Sequence, residues 1–236
     1  MSTWLITGAS RGIGLEYVRQ LVTRGDKIFA TVRNPASSSS LQKLADSSPE
    51  QIHIVQLDTV EPQSIKAAAE EIDSLLISEN KGLDYLINNA AIATDDVPTT
   101  IQSDRFIDVM RCNVLGPALI FQAFLPLLER SKRLGGPVAI NVTSGLGSIA
   151  ENTGTISTTY SISKSALNML TSHQAHEKPD VITIAVNPGW TKTDLGGARA
   201  PLEATDTVRD QIEFIIKANK QDSGTFRNRD GSVIPW

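Results

Sequence analysis

Thr7-Gly8-Ala9-Ser10-Arg11-Gly12-Ile13-Gly14 is the stretch that decides the fold. It follows the apolar run Thr3-Trp4-Leu5-Ile6 and leads directly into helical periodicity from Gly12 to Arg24. Glycines at the first, fifth and seventh positions of Gly-x-x-x-Gly-x-Gly make a tight strand-to-helix turn with few side chains to hold a ligand away. Such a turn presents free N–H groups at a helix N-terminus, where a pyrophosphate is held by hydrogen bonds and the helix dipole. Gly8, Ser10, Arg11, Gly12, Ile13 and Gly14 are therefore the phosphate-binding candidates. The spacing differs from the common dinucleotide spacing Gly-x-Gly-x-x-Gly, and without a Gly-Lys-Ser/Thr ending it is not a P-loop.

Outward from this turn, short β-rich runs alternate with longer helical ones. Strands are predicted at Thr3–Thr7, Lys27–Val32, Ile52–Gln56, Leu83–Asn88, Val138–Thr143 and Val181–Asn187. Helices are predicted at Gly12–Arg24, Ser37–Ala45, Pro62–Ser78, Gln102–Arg130, Thr158–His176 and Ala204–Asn219, and the tail Gly224–Trp236 adds an edge strand. The strands are apolar along their whole length, as strands covered on both faces must be. The repetition predicts an α/β fold: a Rossmann-type, doubly wound parallel sheet of about seven strands, with helices on both faces and right-handed crossovers. No linker divides the chain, so residues 1–236 are read as a single domain.

Composition narrows the function classes. A chain of 236 residues can bury roughly 70–75% of its unfolded surface, so its core needs no covalent staples. A formal charge of -4 argues against a nucleic-acid partner, because phosphate binding wants a basic surface. The one cysteine, Cys112, excludes an internal disulfide, fits a reducing compartment and lies in an apolar helical stretch where a buried structural thiol is expected. No signal peptide precedes the first strand, and no apolar run reaches the ~20 residues of a membrane helix. The expectation is a cytoplasmic protein without a membrane partner. His173 and His176 lack further ligand-type neighbours at metal spacing, so no metal site is read.

The end of the second strand discriminates between nicotinamide cofactors. An NAD site places a carboxylate there for the ribose 2′-OH. Here the chain reads Ala30-Thr31-Val32-Arg33-Asn34-Pro35, with an arginine and no acid. Arg11 can approach the same position from the glycine turn, and two guanidiniums on a 2′-phosphate would each contribute ~1.5–3 kcal/mol. NADP(H) is the expected cofactor. Asp58, after the third strand, either accepts from the adenine amino group or serves as a turn residue at the next helix. Asn88-Asn89-Ala90-Ala91 would set small residues against the cofactor and lock the strand end through amide hydrogen bonds.

Tyr160 and Lys164 stand four apart in Tyr160-Ser161-Ile162-Ser163-Lys164, a spacing that stacks both side chains on one helix face. A lysine charge ~5 Å away at an effective dielectric of ~20 is worth about 3 kcal/mol, or about two pK units off the phenol. The pair is therefore expected to titrate near neutral pH as an acid/base. Ser144 ends the fifth strand, at the edge where ligands sit in open α/β sheets. Its hydroxyl can hold a substrate oxygen beside Tyr160. Thr143 is the next candidate for that role.

Taken together these residues resemble the short-chain dehydrogenase/reductase family over essentially the whole chain. Thr7-Gly8-x-x-x-Gly12-x-Gly14, Asp58, Asn88-Asn89-Ala90, Asn113, Ser144, Tyr160-x-x-x-Lys164 and Asn187-Pro188-Gly189 follow in the family's order. The resemblance implies Ser144, Tyr160 and Lys164 as catalytic residues. It adds Asn113 as a fourth, holding a water that links Lys164 to solvent. It also implies that Pro188, Gly189 and the hydroxyl of Thr191 or Thr193 receive the nicotinamide carboxamide. Within the family the chain is similar to sniffer- and C-factor-type carbonyl reductases and to fungal ketoreductases, through Pro188-Gly189-Trp190-Thr191-Lys192-Thr193-Asp194 and the closing Ile234-Pro235-Trp236. Ala91, where glycine is usual, and Ile162, where a small residue is common, depart from the pattern without removing a catalytic atom.

The activity so implied is hydride transfer between NADP(H) and a small-molecule ketone or aldehyde, or the matching alcohol. A catalytically silent NADP(H)-binding regulatory protein on the same fold is the alternative. Ile92–Thr100, Leu146–Ser157 and Trp190–Thr205 are the expected specificity segments. Family analogy implies a homodimer or homotetramer through the exposed faces of the fifth and sixth predicted helices.

Overall fold

A computed structural model describes residues 1–152 and 154–236. Thr153, inside the expected specificity segment Leu146–Ser157, lies outside the described residues. Among the described residues the strands are β1 (Thr3–Thr7), β2 (Lys27–Val32), β3 (Ile52–Gln56), β4 (Tyr85–Asn88), β5 (Val138–Val142), β6 (Ile182–Asn187) and β7 (Phe226–Asn228). They form one parallel sheet in the order β3-β2-β1-β4-β5-β6-β7. The helices are α1 (Gly12–Thr23), α2 (Ser39–Ser47), α3 (Pro62–Ser78), α4 (Ser103–Met110), α5 (Gly116–Glu129), α6 (Thr158–Glu177) and α7 (Ala204–Lys217).

Alternation along each strand explains the apolar runs. Trp4 and Ile6 of β1 enter a core with Leu15 and Leu21 of α1 and Val208 and Ile212 of α7. Leu5, between them, enters a second core with Ile65 and Ile72 of α3 and Phe124 and Leu128 of α5. Period-two side chains thus feed both faces of one sheet. The strand order reverses between β1 and β4, and a doubly wound sheet opens its ligand crevice at the carboxyl ends beside that switch point.

Three local differences from the sequence expectation have physical causes. The predicted helix Gln102–Arg130 is interrupted by a π-helical turn, Arg111–Leu115, between α4 and α5. There the Asn113 side chain is bonded to Ile92 and Ser163. Helix α2 opens at Ser39 because Pro35–Ser37 forms a 3-10 turn, with the Asn34 side chain accepting from Ala36 N. The continuous helical run Ser103–Glu129 is also long and apolar enough to cross a membrane by length and composition, where no such run is expected from the sequence. Half of its apolar window is buried inside the domain, with Ile120, Phe121 and Phe124 in the second core. The large apolar side chains exposed on helices α4 to α6 include Ile107 and Met169, with Leu115 in the π turn; among the described residues none lies on α7.

Candidate active site

The glycine turn is a clamp before it is a binding surface. Gly8 and Gly12 sit at φ +67° and +55°, the left-handed region where a Cβ is strained. A Cβ on Gly14 would lie 2.3 Å from the Gly8 carbonyl oxygen, and one on Gly8 would lie 3.0 Å from Ala90 Cα. Asn89 N and Ala90 N donate to Thr7 Oγ1 at 2.9 and 3.0 Å, and Asn89 Nδ2 donates to the Thr7 carbonyl at 2.8 Å. The amide of Asn89 thereby ties the end of β4 to the turn. Helix α1 starts at Gly12 with no side-chain cap, leaving its first N–H groups without intrahelical partners.

Over this turn opens a crevice of about 650 Å³. Its walls come from Ser10 and Ile13 of the turn, Arg33 after β2, Asp58 after β3, Ala90 after β4 and Thr193 after β6. A volume of this size, glycine-floored and next to an uncapped helix N-terminus, fits a dinucleotide. No acid follows β2; Arg33 is exposed there, as a 2′-phosphate would require. From the sequence, Arg11 is expected beside Arg33. In the structure its guanidinium is held instead by Asp194 at 2.8 Å, an exposed pair that joins the glycine turn to the segment after β6. Asp58 performs the turn role: its Oδ1 accepts from Val60 N at 3.2 Å while the residue also lines the crevice.

Ser144, Tyr160 and Lys164 meet at the carboxyl end of β5. Lys164 is buried, its Nζ donates to the Val142 carbonyl at 2.8 Å, and it lies 5.4 Å from the Tyr160 ring centre. Ser144 Oγ accepts from Leu146 N at 3.2 Å. The Thr143 hydroxyl is committed to the Lys164 carbonyl at 3.2 Å, which leaves Ser144 as the hydroxyl partner of the phenol. The expected electrostatics need correction. Burial pushes the Tyr160 phenol up to about 12, opposed by a hydrogen bond with Ser144, and burial pulls Lys164 down to about 8. Desolvation disfavours the charged form of both groups, so it outweighs the ammonium–phenol attraction expected from spacing alone. The phenol is held protonated at neutral pH.

The remaining expected residues divide. Fully buried Asn113 joins two segments: its Oδ1 accepts from Ile92 N, and its Nδ2 donates to the Ile92 carbonyl and Ser163 Oγ, at 2.9, 2.9 and 3.0 Å. Gly189, following Pro188, turns the chain at φ +77°, and a Cβ there would meet Leu202 at 2.6 Å. Thr193 faces the crevice. Thr191 does not; it is buried, with its hydroxyl 3.0 Å from Thr207 Oγ1. Ser144, Tyr160 and Lys164 are not among the residues lining the 650 Å³ crevice. The crevice wall reaches them through Ile92, which Asn113 links to α6.

The short chain dehydrogenase family profile matches residues 2–203. The chain belongs to the short-chain dehydrogenase family. Norsolorinic acid ketoreductase nor1 of Dothistroma septosporum is 31% identical, across 100% of this chain and 92% of that relative. The NADPH-bound carbonyl reductase from chicken fatty liver has a TM-score of 0.94 at 34% identity, covering 100% of this chain and 99% of its own. Carbonyl reductase Sniffer of D. melanogaster has a TM-score of 0.94 at 31% identity, covering 100% of both chains.

Several crevice residues of this short-chain dehydrogenase escape sequence reading. Arg105, Asp108 and Cys112 all line it, and their spacing of three and four places them on one helix side. That periodicity is the signal that could have found them. Cys112 is buried as expected; burial pushes its thiol up, and its Sγ lies 3.7 Å from Thr59 Oγ1. Asp194 carries no local signal, because its partner Arg11 is 183 residues away.

Proposed function

We propose that residues 1–236 form a single NADP(H)-binding domain that reduces a ketone or aldehyde, Tyr160 acting as the general acid, and that also runs the matching alcohol oxidation. The observation that carries this reading is a protonated phenol, a serine hydroxyl and a buried lysine gathered at one strand end beside a dinucleotide-sized crevice. When bound, NADPH supplies the hydride. Tyr160 donates its proton to the oxygen of the reduced carbonyl, and Ser144 hydrogen-bonds that same oxygen and orients it. Lys164, anchored on the Val142 carbonyl, would orient the nicotinamide ribose.

For the cofactor, Gly8, Ser10, Gly12, Ile13 and Gly14 would hold the pyrophosphate and Arg33 the 2′-phosphate, joined by Arg11 on release from Asp194. Asp58 would meet the adenine, Asn89 and Ala90 would shape the floor, and Pro188, Gly189 and Thr193 would take the carboxamide. Asn113, with both side-chain N–H groups given to Ile92 and Ser163, would hold the relay water through an oxygen. The NADPH in the chicken carbonyl reductase structure supports the same cofactor choice here.

The test is a screen of ketones, aldehydes and quinones followed by NADPH absorbance, with NADH in parallel. Turnover with NADPH exceeding that with NADH is expected. NADPH binding without oxidation across the panel would instead favour a silent NADP(H)-sensing protein.

A further inference from the structure

The helix that carries Tyr160 does not cap itself. Its N-cap residue, Ser157, sits in the left-handed region at φ 52°, and its side chain makes no cap hydrogen bond. The first N–H groups of an α-helix have no intrahelical acceptor and need one from elsewhere. Here they find it in Asp96, which precedes Thr159 by 63 residues. The Asp96 backbone carbonyl accepts from Thr158 N at 3.0 Å, and its Oδ1 accepts from Thr159 N at 3.0 Å. Its other carboxylate oxygen accepts from the hydroxyl of Thr159, which is buried. Thr94 Oγ1 steadies the same carboxylate at 3.1 Å.

Every group bound by Asp96 on α6 belongs to the two residues immediately before Tyr160. A negative charge at this position also complements the positive end of the helix dipole. Burial acts to raise the Asp96 carboxyl, but hydrogen bonds from Thr159 and Thr94 outweigh it and hold the group below its usual range. It is therefore ionised at neutral pH. The segment that carries Asp96 is fixed at a second point, where Ile92 N and O both bond the Asn113 side chain at 2.9 Å.

Resting on the reading of Tyr160 as the general acid, we propose that Asp96 is a positioning residue that fixes the first turn of α6 and so aims the Tyr160 hydroxyl. The segment after β4 is then more than a wall. It couples whatever touches Ile92–Thr100 to the alignment of the acid. Misplacement of a reacting group by ~1 Å can cost up to ~10²-fold in rate, so a loosened first turn is read in kcat rather than in cofactor affinity.

The experiment compares full-length wild type with Asp96→Ala, Asp96→Asn and Thr159→Val. It measures kcat and KM with the carbonyl compound that wild type reduces fastest, NADPH affinity by fluorescence titration, and amide hydrogen exchange at Thr158 and Thr159. Asp96→Ala is expected to lower kcat about tenfold with NADPH affinity unchanged, and to speed exchange at both amides. Asp96→Asn, whose amide oxygen still accepts from Thr159 N, is expected to recover most of kcat. Thr159→Val, which removes only the hydroxyl contact, is expected to show a smaller loss of the same kind.

Wild-type kcat in Asp96→Ala, or parallel loss of kcat and NADPH affinity, would overturn the proposal. So would an Asparagine variant no better than the alanine one. Should Asp96→Ala not fold, Asp96→Asn and Thr159→Val decide the matter: undisturbed kcat and exchange in both overturn it. Failure of the underlying reading looks different, because Tyr160→Phe would then remain active. An inactive Tyr160→Phe with fully active Asp96 variants sinks only the positioning role.

Discussion

Lys164 Nζ lies 5.4 Å from the centre of the Tyr160 ring, yet its hydrogen bond goes to the Val142 carbonyl at 2.8 Å. The two side chains share one helix face, Lys164 buried and Tyr160 half-buried, and desolvation governs their protonation more than their mutual attraction does. Burial holds Lys164 down to about 8 and Tyr160 up to about 12.

A pH dependence of stability follows. The folded-state value for Lys164, about 8, lies below its ordinary 10.5. Between these values the unfolded chain binds a proton that the folded one does not, so the Lys164 contribution to stability rises with pH across that window. Between pH ~7.5 and ~9.5 the stability of wild type relative to Lys164→Met is expected to improve by about 2 kcal/mol, or on the order of 4–8 °C in Tm. Tyr160 acts oppositely, its raised value costing stability only above pH ~10. Melting curves of the cofactor-free proteins at the two pH values test this. A difference that stays flat or shrinks contradicts it.

Gly14 has no room for a side chain. A Cβ there would meet the Gly8 carbonyl oxygen at 2.3 Å and Asn89 Nδ2 at 2.7 Å. Gly14→Ala must therefore displace the turn from β4, at a cost of roughly 1–3 kcal/mol. Weaker NADPH binding and a lower Tm are expected together, by fluorescence titration and calorimetry. Wild-type values of both would show that the turn tolerates a Cβ and is not the clamp described.

On the proposed reading, cofactor preference would rest on Arg33 and on the partner of Arg11. Losing one charge-assisted bond to a 2′-phosphate costs ~1.5–3 kcal/mol, about 10- to 150-fold in affinity. Arg33→Ala is expected to weaken NADPH binding by about that factor and to leave NADH binding unchanged. Asp194→Asn releases the Arg11 guanidinium from its 2.8 Å partner and is expected to tighten NADPH binding. Equal effects on both nucleotides in Arg33→Ala would remove it from the 2′-phosphate site.

Much of this was legible in the chain, for a physical reason. The spans of β1 and β2 agree with expectation because strands buried on both faces leave a β-rich run ended by turn residues, and the edge strand β3 agrees as well although it is only partly buried. The gathering of Tyr160, Lys164 and Ser144 was legible as well, through helical spacing and a strand end. Tertiary effects were not. Arg-Cys-Asn-Val-Leu at 111–115 reads as ordinary helix, whereas the π turn there accompanies hydrogen bonds from Asn113 to segments 21 and 50 residues away. The reach of Asp96 to Thr159 and of Asp194 to Arg11 likewise depends on which loops the sheet order brings together. Spacing also gives the nearness of an ammonium to a phenol, but not the desolvation that overrides it.

The central claim is that the Tyr160 hydroxyl supplies the proton, and NADPH oxidation by Tyr160→Phe at saturating carbonyl substrate tests it most directly. The phenyl ring keeps the packing and removes one oxygen. NADPH affinity close to wild type with turnover reduced by about 10²- to 10⁴-fold is the predicted result. Wild-type-like turnover in that variant would contradict it.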